Sequence, residues 1–407
     1  MKSLEDAPFL DLSSVEFQAD PGATIEAVRP HSWLVRSSIA AFVIGREQVQ
    51  ALLGDRRLRS PVTQFIEMQG VTDGLLHDRM CKTLLAIDGD DHTRVRNLVR
   101  KAFVPKAVDR HRPLMRATLR SLLAPVVERG RCEFMAEVAE HYPIQVMCQV
   151  LGVPDRDHED FATWIRAIAW SLSIDLAAHI DEAEWGMKQL DDYVTGLVAD
   201  RRAHRRDDLV TELVQAREAG DALSDDELRS LVIGLLFAGY DTTRNQLGLG
   251  MWVFAQHPEQ WALLADRPDL ARNAVEEMMR FRGAVASAPR LVAEDLDFDG
   301  YHLAAGTLLF LSTSGANHDP AAYELPHVFD IAAEREPQLT FGGGPHFCLG
   351  ANLARAEMQE ALVLLARCMP GLALDGEPVW RSPTGIFGPE TLPISFQAGG
   401  QVPPDTW

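Results

Sequence analysis

Cysteine is sparse in this chain: five in 407 residues, at 81, 132, 148, 348 and 368, with no Cys-x-x-Cys pair. That spacing excludes a disulfide framework, a structural zinc site and a thioredoxin-like motif. A reducing, cytoplasmic setting is expected instead. Long apolar runs are missing too. No stretch approaches the roughly 18 consecutive apolar residues of a spanning helix. The N-terminal segment MKSLEDAPFLDLSSVEFQAD carries acids and no apolar core, so no signal peptide or membrane anchor is expected. Positive charge is scarce, with 39 lysines and arginines against 59 acids and a net charge of −20. Phosphates repel such a surface, which argues against broad binding to nucleic acid or anionic membrane. What the chain does have is the balance of a globular protein, 46% apolar and 24% charged residues, which excludes general disorder.

Internal repeats, low-complexity tracts and domain-separating linkers are also absent, so residues 1–407 are expected to form a single domain, mainly α with a minor β part. Short β-branched runs over 32–45 predict a hairpin. From about 105 to 282 the pattern is helical, broken at Gly152-Val153-Pro154, Ala219-Gly220, His257-Pro258 and Arg267-Pro268. Residues 288–313 alternate and carry Asp-Gly and Ala-Gly turns, the pattern of strands. Pro- and Gly-rich text over 315–347 precedes a helix from about 349 to 368. The last thirty residues read as loops and a short hairpin.

The segment 340–357, TFGGGPHFCLGANLARAE, is the most informative. Glycines 342–344 and Gly350 strip side chains from the surroundings of Cys348, so the backbone can approach something flat. Helical sequence begins just after Cys348, where free N–H groups and the helix dipole stabilise a thiolate. Such a thiolate suits a metal, and haem iron is the soft, flat partner that glycines would admit. Two other readings stay open on these residues alone. One is an ordinary apolar cysteine in a flexible loop. The other is a cysteine nucleophile with His346 as base, although residues two apart on an extended loop point to opposite faces.

Ser224-Asp225-Asp226-Glu227 is a capping box. Leu228, Leu231, Val232, Leu235 and Leu236 follow at helical spacing, and the pattern runs to about Gln256. Some thirty residues give roughly 45 Å of helix, enough to form a wall of a cofactor site. Within it stands Ala238-Gly239-Tyr240-Asp241-Thr242-Thr243. Small residues allow a flat group to come close, and Thr242 can bond back to the Ala238 carbonyl. A buried acid at 241 is costly without a partner or a task; a solvated acid beside turn-closing threonines is the plainer reading.

Phe341-Gly342-Gly-Gly-Pro-His346-Phe-Cys348-Leu349-Gly350 resembles the haem-binding loop of the cytochrome P-450 family, the haem-thiolate monooxygenases. The resemblance extends from about residue 85 to 396. It implies the family fold, with haem b sandwiched between the long central helix and the helix after the cysteine loop, and with Cys348 as axial iron ligand. Ala238-Gly239-x-Asp241-Thr242 is similar to the family's oxygen-activating groove. By that resemblance Asp241 and Thr242 would organise water and deliver protons that promote O–O cleavage, with O2 as co-substrate. His92 and Arg96, at i and i+4, resemble the His-Thr-x-x-Arg propionate motif; Arg290 and His346 match further propionate contacts. Glu277-x-x-Arg280 resembles the family's structural acid–arginine pair. Its third member is expected at 333, where this chain has Ala333, with Arg335 nearby.

With no fused flavin or iron–sulfur segment, the resemblance implies electrons from a ferredoxin served by a ferredoxin reductase, acting on a monomer. Arg94, Arg100, Lys101, Arg110 and Arg112 form a basic stretch that could receive it. Loop 61–87 and the hairpin near Ile386-Phe387 match pocket-lining regions. Small residues Ala284, Ala286, Ser287 and Ala288 favour a bulky hydrophobic substrate such as a steroid, terpenoid or macrolide precursor. The expected reaction is hydroxylation or epoxidation. A peroxygenase using hydrogen peroxide, a non-catalytic haem sensor or carrier, and a non-haem cysteine hydrolase are the alternatives, the first two disfavoured by the Asp241-Thr242 pair.

Overall fold

Strands Leu34–Arg36 and Ala41–Val43 pair antiparallel, as residues 32–45 predict. In this computed structural model, which describes residues 1–11, 14–15, 21–218, 223–381 and 385–399, that hairpin edges a five-stranded sheet. Leu308–Leu311 joins it in parallel, followed by Ala288–Val292 and Leu58–Arg59 in antiparallel sense. Period-two alternation sets the faces: Leu309 and Leu311 are fully buried with Val43 and Val292, while Phe310 on the other face stacks on Phe42 at 5.2 Å. Asp299 and Gly300, at φ 42° and 85°, make the tight turn between Leu296–Phe298 and Tyr301–Leu303. Two successive positive φ values match the right-handed twist of the flanking strands. All of these lie in one compact unit, built from residues 1–61, 279–329 and 334–348.

Residues 62–278, 330–333 and 349 onward form a second unit. Its longest helix is Asp225–Gln256, 32 residues, about 48 Å at 1.5 Å per residue. The capping box is formed: Ser224 Oγ accepts from the Glu227 amide at 3.1 Å, and the Glu227 carboxylate accepts from the Ser224 amide at 2.7 Å. Tyr142–Leu151, His158–Ala169, Ile180–Ala203 and Ala351–Cys368 pack along this helix. Its apolar positions are buried on nearly every side, the mark of a helix in the centre of a core. Gly152 ends Tyr142–Leu151 in a left-handed cap. The break read at Ala219-Gly220 lies outside the described residues.

Two sequence expectations need correction. The helical stretch from 105 to 282 contains a strand, Arg131–Glu133, paired with Pro393–Ser395. Gly130, at φ 67°, turns the chain out of the preceding helix, and three residues are too few for periodicity to register. Loop 61–87 instead holds helices Val62–Glu67 and Gly74–Met80. The second is pinned by Arg79, buried against Asp191 at 2.6 Å and Asp226 at 3.2 Å, an anchor from distant sequence. Among the described residues no helix is long and apolar enough to cross a membrane.

Candidate functional site

Cys348 is placed almost wholly by backbone. Its amide donates to the Phe341 carbonyl at 2.9 Å, and the Gly342 amide donates to Leu339 at 2.8 Å. Thr340 secures the start of the loop, its hydroxyl donating to the Met279 carbonyl at 2.9 Å and accepting from Asn317 at 2.9 Å. Gly344 sits at φ 62°, and a Cβ there would run into the Leu53 carbonyl. Only glycine fits both demands. Residues 344–346 form one tight helical turn rather than the extended loop expected, so alternation does not separate His346 from Cys348. Leu349 and Gly350 lead into Ala351–Cys368, which places Cys348 three residues before a helix start.

The long helix carries the second feature. Along an otherwise buried span, Ala238 is exposed and Gly239 and Thr242 are half-buried, one small-residue face at i, i+1 and i+4. Thr242 Oγ1 donates to the Ala238 carbonyl at 2.8 Å, the predicted back-bond. Gly239 lets the Met147 side chain approach closely. Asp241 is 1% exposed, and it has the partner that burial requires. Arg381 Nη1 donates to its two oxygens at 2.8 and 3.0 Å, and Asn245 Nδ2 to Oδ1 at 3.1 Å. The residues on either side of this stretch are tied down by one acid. Glu140 accepts from the Tyr240 hydroxyl at 2.5 Å, from Arg244 Nε at 2.6 Å and from Arg166. Burial pushes the Glu140 carboxyl up, but Arg244, Tyr240 and Arg166 outweigh it and hold the group below the usual carboxylate range.

His92 is 2% exposed on Gly89–Val99 with Arg96 half-buried one turn on. Arg290 lies inside strand Ala288–Val292 opposite Leu309, 9% exposed, with Nη1 on the Pro289 carbonyl at 2.9 Å. His346 is half-buried in the cysteine loop.

A family model for cytochrome P-450 matches residues 158–368. Luteothin monooxygenase from Streptomyces thioluteus is 36% identical over 401 residues, 97% of this chain and 98% of its own. The chain belongs to the cytochrome P-450 family. Mycinamicin IV hydroxylase/epoxidase from Micromonospora griseorubida is 35% identical, over 86% of this chain and 87% of its own. The solved structure of CalO2 superposes with a TM-score of 0.90 at 30% identity, covering 97% of this chain and all of that one. The fold is therefore that of a P-450 and the protein a P-450 monooxygenase, as the cysteine loop implied.

Family membership implies a haem-thiolate cofactor and O2, and the residues fit. Exposed Ala238 and half-buried Thr242 on a long buried helix leave room for a flat ring system, while Met147 fills the side-chain space of Gly239. A half-buried cysteine before a helix start could provide the thiolate. Around the P-450 motifs the structure adds detail. Arg280 donates to the carbonyls of Asn317, Pro326 and Val328 at 3.0, 2.7 and 3.1 Å. Arg335 reaches the same Val328 carbonyl at 2.9 Å, and Glu324 at 2.7 Å. It arrives from two residues beyond the expected position, while the Ala333 carbonyl accepts from Asn273. In the basic stretch, Arg94 is paired with Asp91 and Glu227, and Arg112 with Asp109 and Glu360; Arg100, Lys101 and Arg110 are exposed.

Sequence reasoning missed three polar side chains beside the motif: Glu140, Arg381 and Glu357. Glu357 is 1% exposed, one helix away, with the Thr243 hydroxyl as partner, and burial raises its carboxyl well above the usual range. An acid within an apolar helical repeat was its only signal.

Proposed function

We propose that this P-450 inserts one oxygen atom from O2 into a bulky hydrophobic small molecule, by hydroxylation or epoxidation, with electrons from a ferredoxin and its reductase. The observation that carries this reading is the Asp241–Thr242 pair. Its hydroxyl is fixed by the Ala238 carbonyl and its carboxylate is kept buried and paired, beside an exposed small-residue face. Bound haem b would supply an electron-rich iron for O2 activation, pushed by the Cys348 thiolate. Cys348 would ligate the iron; His92, Arg96, Arg290 and His346 would hold the propionates. Phe341, Gly342, Leu349, Gly350, Ala238 and Gly239 would contact the ring.

Thr242 Oγ1 spends its proton on Ala238, so its lone pairs remain to accept from a water and orient it. The Asp241 carboxyl, one residue away, would take up a proton from solvent and pass it to that water after it gives one up. Relatives named for luteothin oxygenation and for mycinamicin IV hydroxylation and epoxidation support both outcomes of oxygen insertion. Ala284 is buried inside its own unit, which leaves Ala286, Ser287 and Ala288 as the small side chains favouring a steroid-, terpenoid- or macrolide-like substrate. Arg100, Lys101 and Arg110 would receive the ferredoxin. Five free cysteines fit a cytoplasmic workplace.

The test is a carbon monoxide difference spectrum of the dithionite-reduced, haem-reconstituted protein, followed by oxidation assays with O2 and a surrogate ferredoxin system. A long-wavelength Soret band and O2-dependent product support the reading. Absence of that band, or product formed with hydrogen peroxide and not with O2, overturns it. Charge reversal at Arg100 and Lys101 is expected to slow ferredoxin-driven turnover, and unchanged rates at low salt would remove the docking role.

A further inference from the structure

The C-terminal hairpin, Val379–Trp380 paired with Pro389–Thr391, lies along one face of the long helix. Asp241, Asn245, Gly248 and Trp252, spaced by four, three and four, make that face. Each meets the hairpin. Asp241 takes the Arg381 guanidinium on both oxygens. Gly388 lies so near Asn245 that a Cβ on it would stand 2.5 Å from the Asn245 Oδ1. Pro389 fills the space left by Gly248, where an added Cβ would be 2.8 Å from its ring. Trp252 packs edge-on to Trp380 at 5.1 Å, and Trp380 stacks on Phe387 at 5.4 Å and 9°.

Arg381 is the pivot of this contact. Its Nε donates to Glu390 across the hairpin at 2.7 Å, its backbone amide to the Gly388 carbonyl at 3.1 Å, and its Nη1 to Asp241. The pair is unequal, with the arginine side chain 18% exposed and the aspartate 2%. A buried carboxylate in that position is held in place by its cation.

We propose that Arg381 is a positioning residue for Asp241, tying the orientation of the carboxylate to the hairpin that bears Ile386 and Phe387. The inference rests on the proposed role of Asp241 in oxygen activation. A molecule pressing on Phe387 moves Trp380, the residue adjoining Arg381, and so loosens or tightens the clasp on the acid. Occupancy at the hairpin thereby sets the readiness of Asp241 to handle a proton.

Two readouts test this on Arg381→Gln, Arg381→Lys, Asp241→Asn, the Gln/Asn double variant and Phe387→Ala. The first is amide hydrogen exchange of the protein without haem. Arg381→Gln and Asp241→Asn should each speed exchange at residues 388, 390 and 391 by about tenfold, the double variant no more than either single, with lysine restoring most of the protection. The second is NADPH-driven hydrogen peroxide release by the haem-loaded protein with a surrogate ferredoxin and reductase, in H2O and D2O. Asp241→Asn should slow it on the order of a hundredfold. Arg381→Gln should slow it and alter the solvent isotope effect, yet add nothing in the Asp241→Asn background. Phe387→Ala, which removes no ionisable group and keeps both charges, should shift the isotope effect in the same direction. It carries the test if Arg381→Gln does not fold. An Arg381→Gln protein with wild-type rate and isotope effect, beside an impaired Asp241→Asn protein, overturns the positioning role and leaves the role of Asp241 standing. Equal Arg381→Gln losses with and without Asp241 overturn it as well. A silent Asp241→Asn protein overturns the reading of Asp241 itself and the inference with it.

Discussion

The cysteine loop and the centre of the long helix are both parts of the proposed P-450 site, and they are built from opposite materials. Around Cys348 the chain holds itself with its own backbone: Cys348 to Phe341, Gly342 to Leu339, Phe347 to Gly344. Around Asp241 and Thr242 the helix supplies regular backbone, and distant side chains do the placing: Arg381 from 140 residues downstream, Glu140 from 101 upstream. The loop is a matter of allowed conformation. The helix centre is a matter of charge balance in a buried setting. Substitutions should therefore fail differently in the two regions.

The largest effect separates chemistry from fold in the loop. Cys348→Ser should abolish the thiolate Soret signature and turnover. Melting of the protein without haem should shift by no more than about 1 kcal/mol, because serine keeps the backbone amide of 348 that donates to Phe341. Parallel spectra and melts check this, and a collapse of the apo-protein would erase the distinction between the two regions. The helix centre should show the reverse. Glu140→Ala leaves Arg244 and the Tyr240 hydroxyl buried without their acid, at a cost of about 3–5 kcal/mol in chemical denaturation. The wild type should also be acid-sensitive here. The carboxyl is held below its ordinary value of 4.5, so its contribution is present above that pH and lost as pH falls through the lowered value. Glu140→Gln should lack that acid-side loss.

The same contrast explains what could be read in advance. The loop was legible because its determinants are contiguous: glycines, Cys348 and the helix start lie within a dozen residues. Thr242 was legible for a similar reason, its partner being one turn away, and so were the capping box at Ser224 and the Asp299-Gly300 turn. The need for a partner at Asp241 followed from the cost of burying an acid; its identity did not. Arg381 stands in a Pro- and Gly-rich tail with no periodicity, and nothing in the sequence between them links it to the helix. Glu140 and Glu357 were hidden likewise, and the strand Arg131–Glu133 was too short to interrupt a helical pattern. Arg94 and Arg112 illustrate the converse, because a run of like charges gives no sign of which members are already paired.

Glycine tests the comparison at smaller cost. Gly344→Ala combines a left-handed φ with a collision against a backbone carbonyl that cannot move, an expected loss of about 2 kcal/mol. Gly239→Ala meets instead the end of the Met147 side chain, which can change rotamer. The gain in helix propensity, about 1 kcal/mol, offsets part of that adjustment. Thermal melts of the two variants without haem should therefore rank Gly344→Ala well below Gly239→Ala. Equal losses would mean that the loop is no more conformationally constrained than the helix.

The gentlest perturbation is Glu357→Gln, and its sign is opposite to that at Glu140. Burial raises the Glu357 carboxyl well above its ordinary 4.5, so above that pH the folded chain keeps a proton that the unfolded chain has released. Folding then takes up a proton, and stability falls as pH rises, by up to about 1.4 kcal/mol per unit until the raised value is passed. Glutamine carries no such proton and is close in shape, with Thr243 still beside it. Near pH 4.5 the two proteins should unfold at similar denaturant concentrations, and the glutamine variant should gain on the wild type with each step upward. Stability curves that stay parallel from acid to neutral pH would show that Glu357 ionises normally. The helix centre would then hold a charged acid beyond Glu140 and Asp241, and its balance would have to be sought in cations other than Arg244 and Arg381.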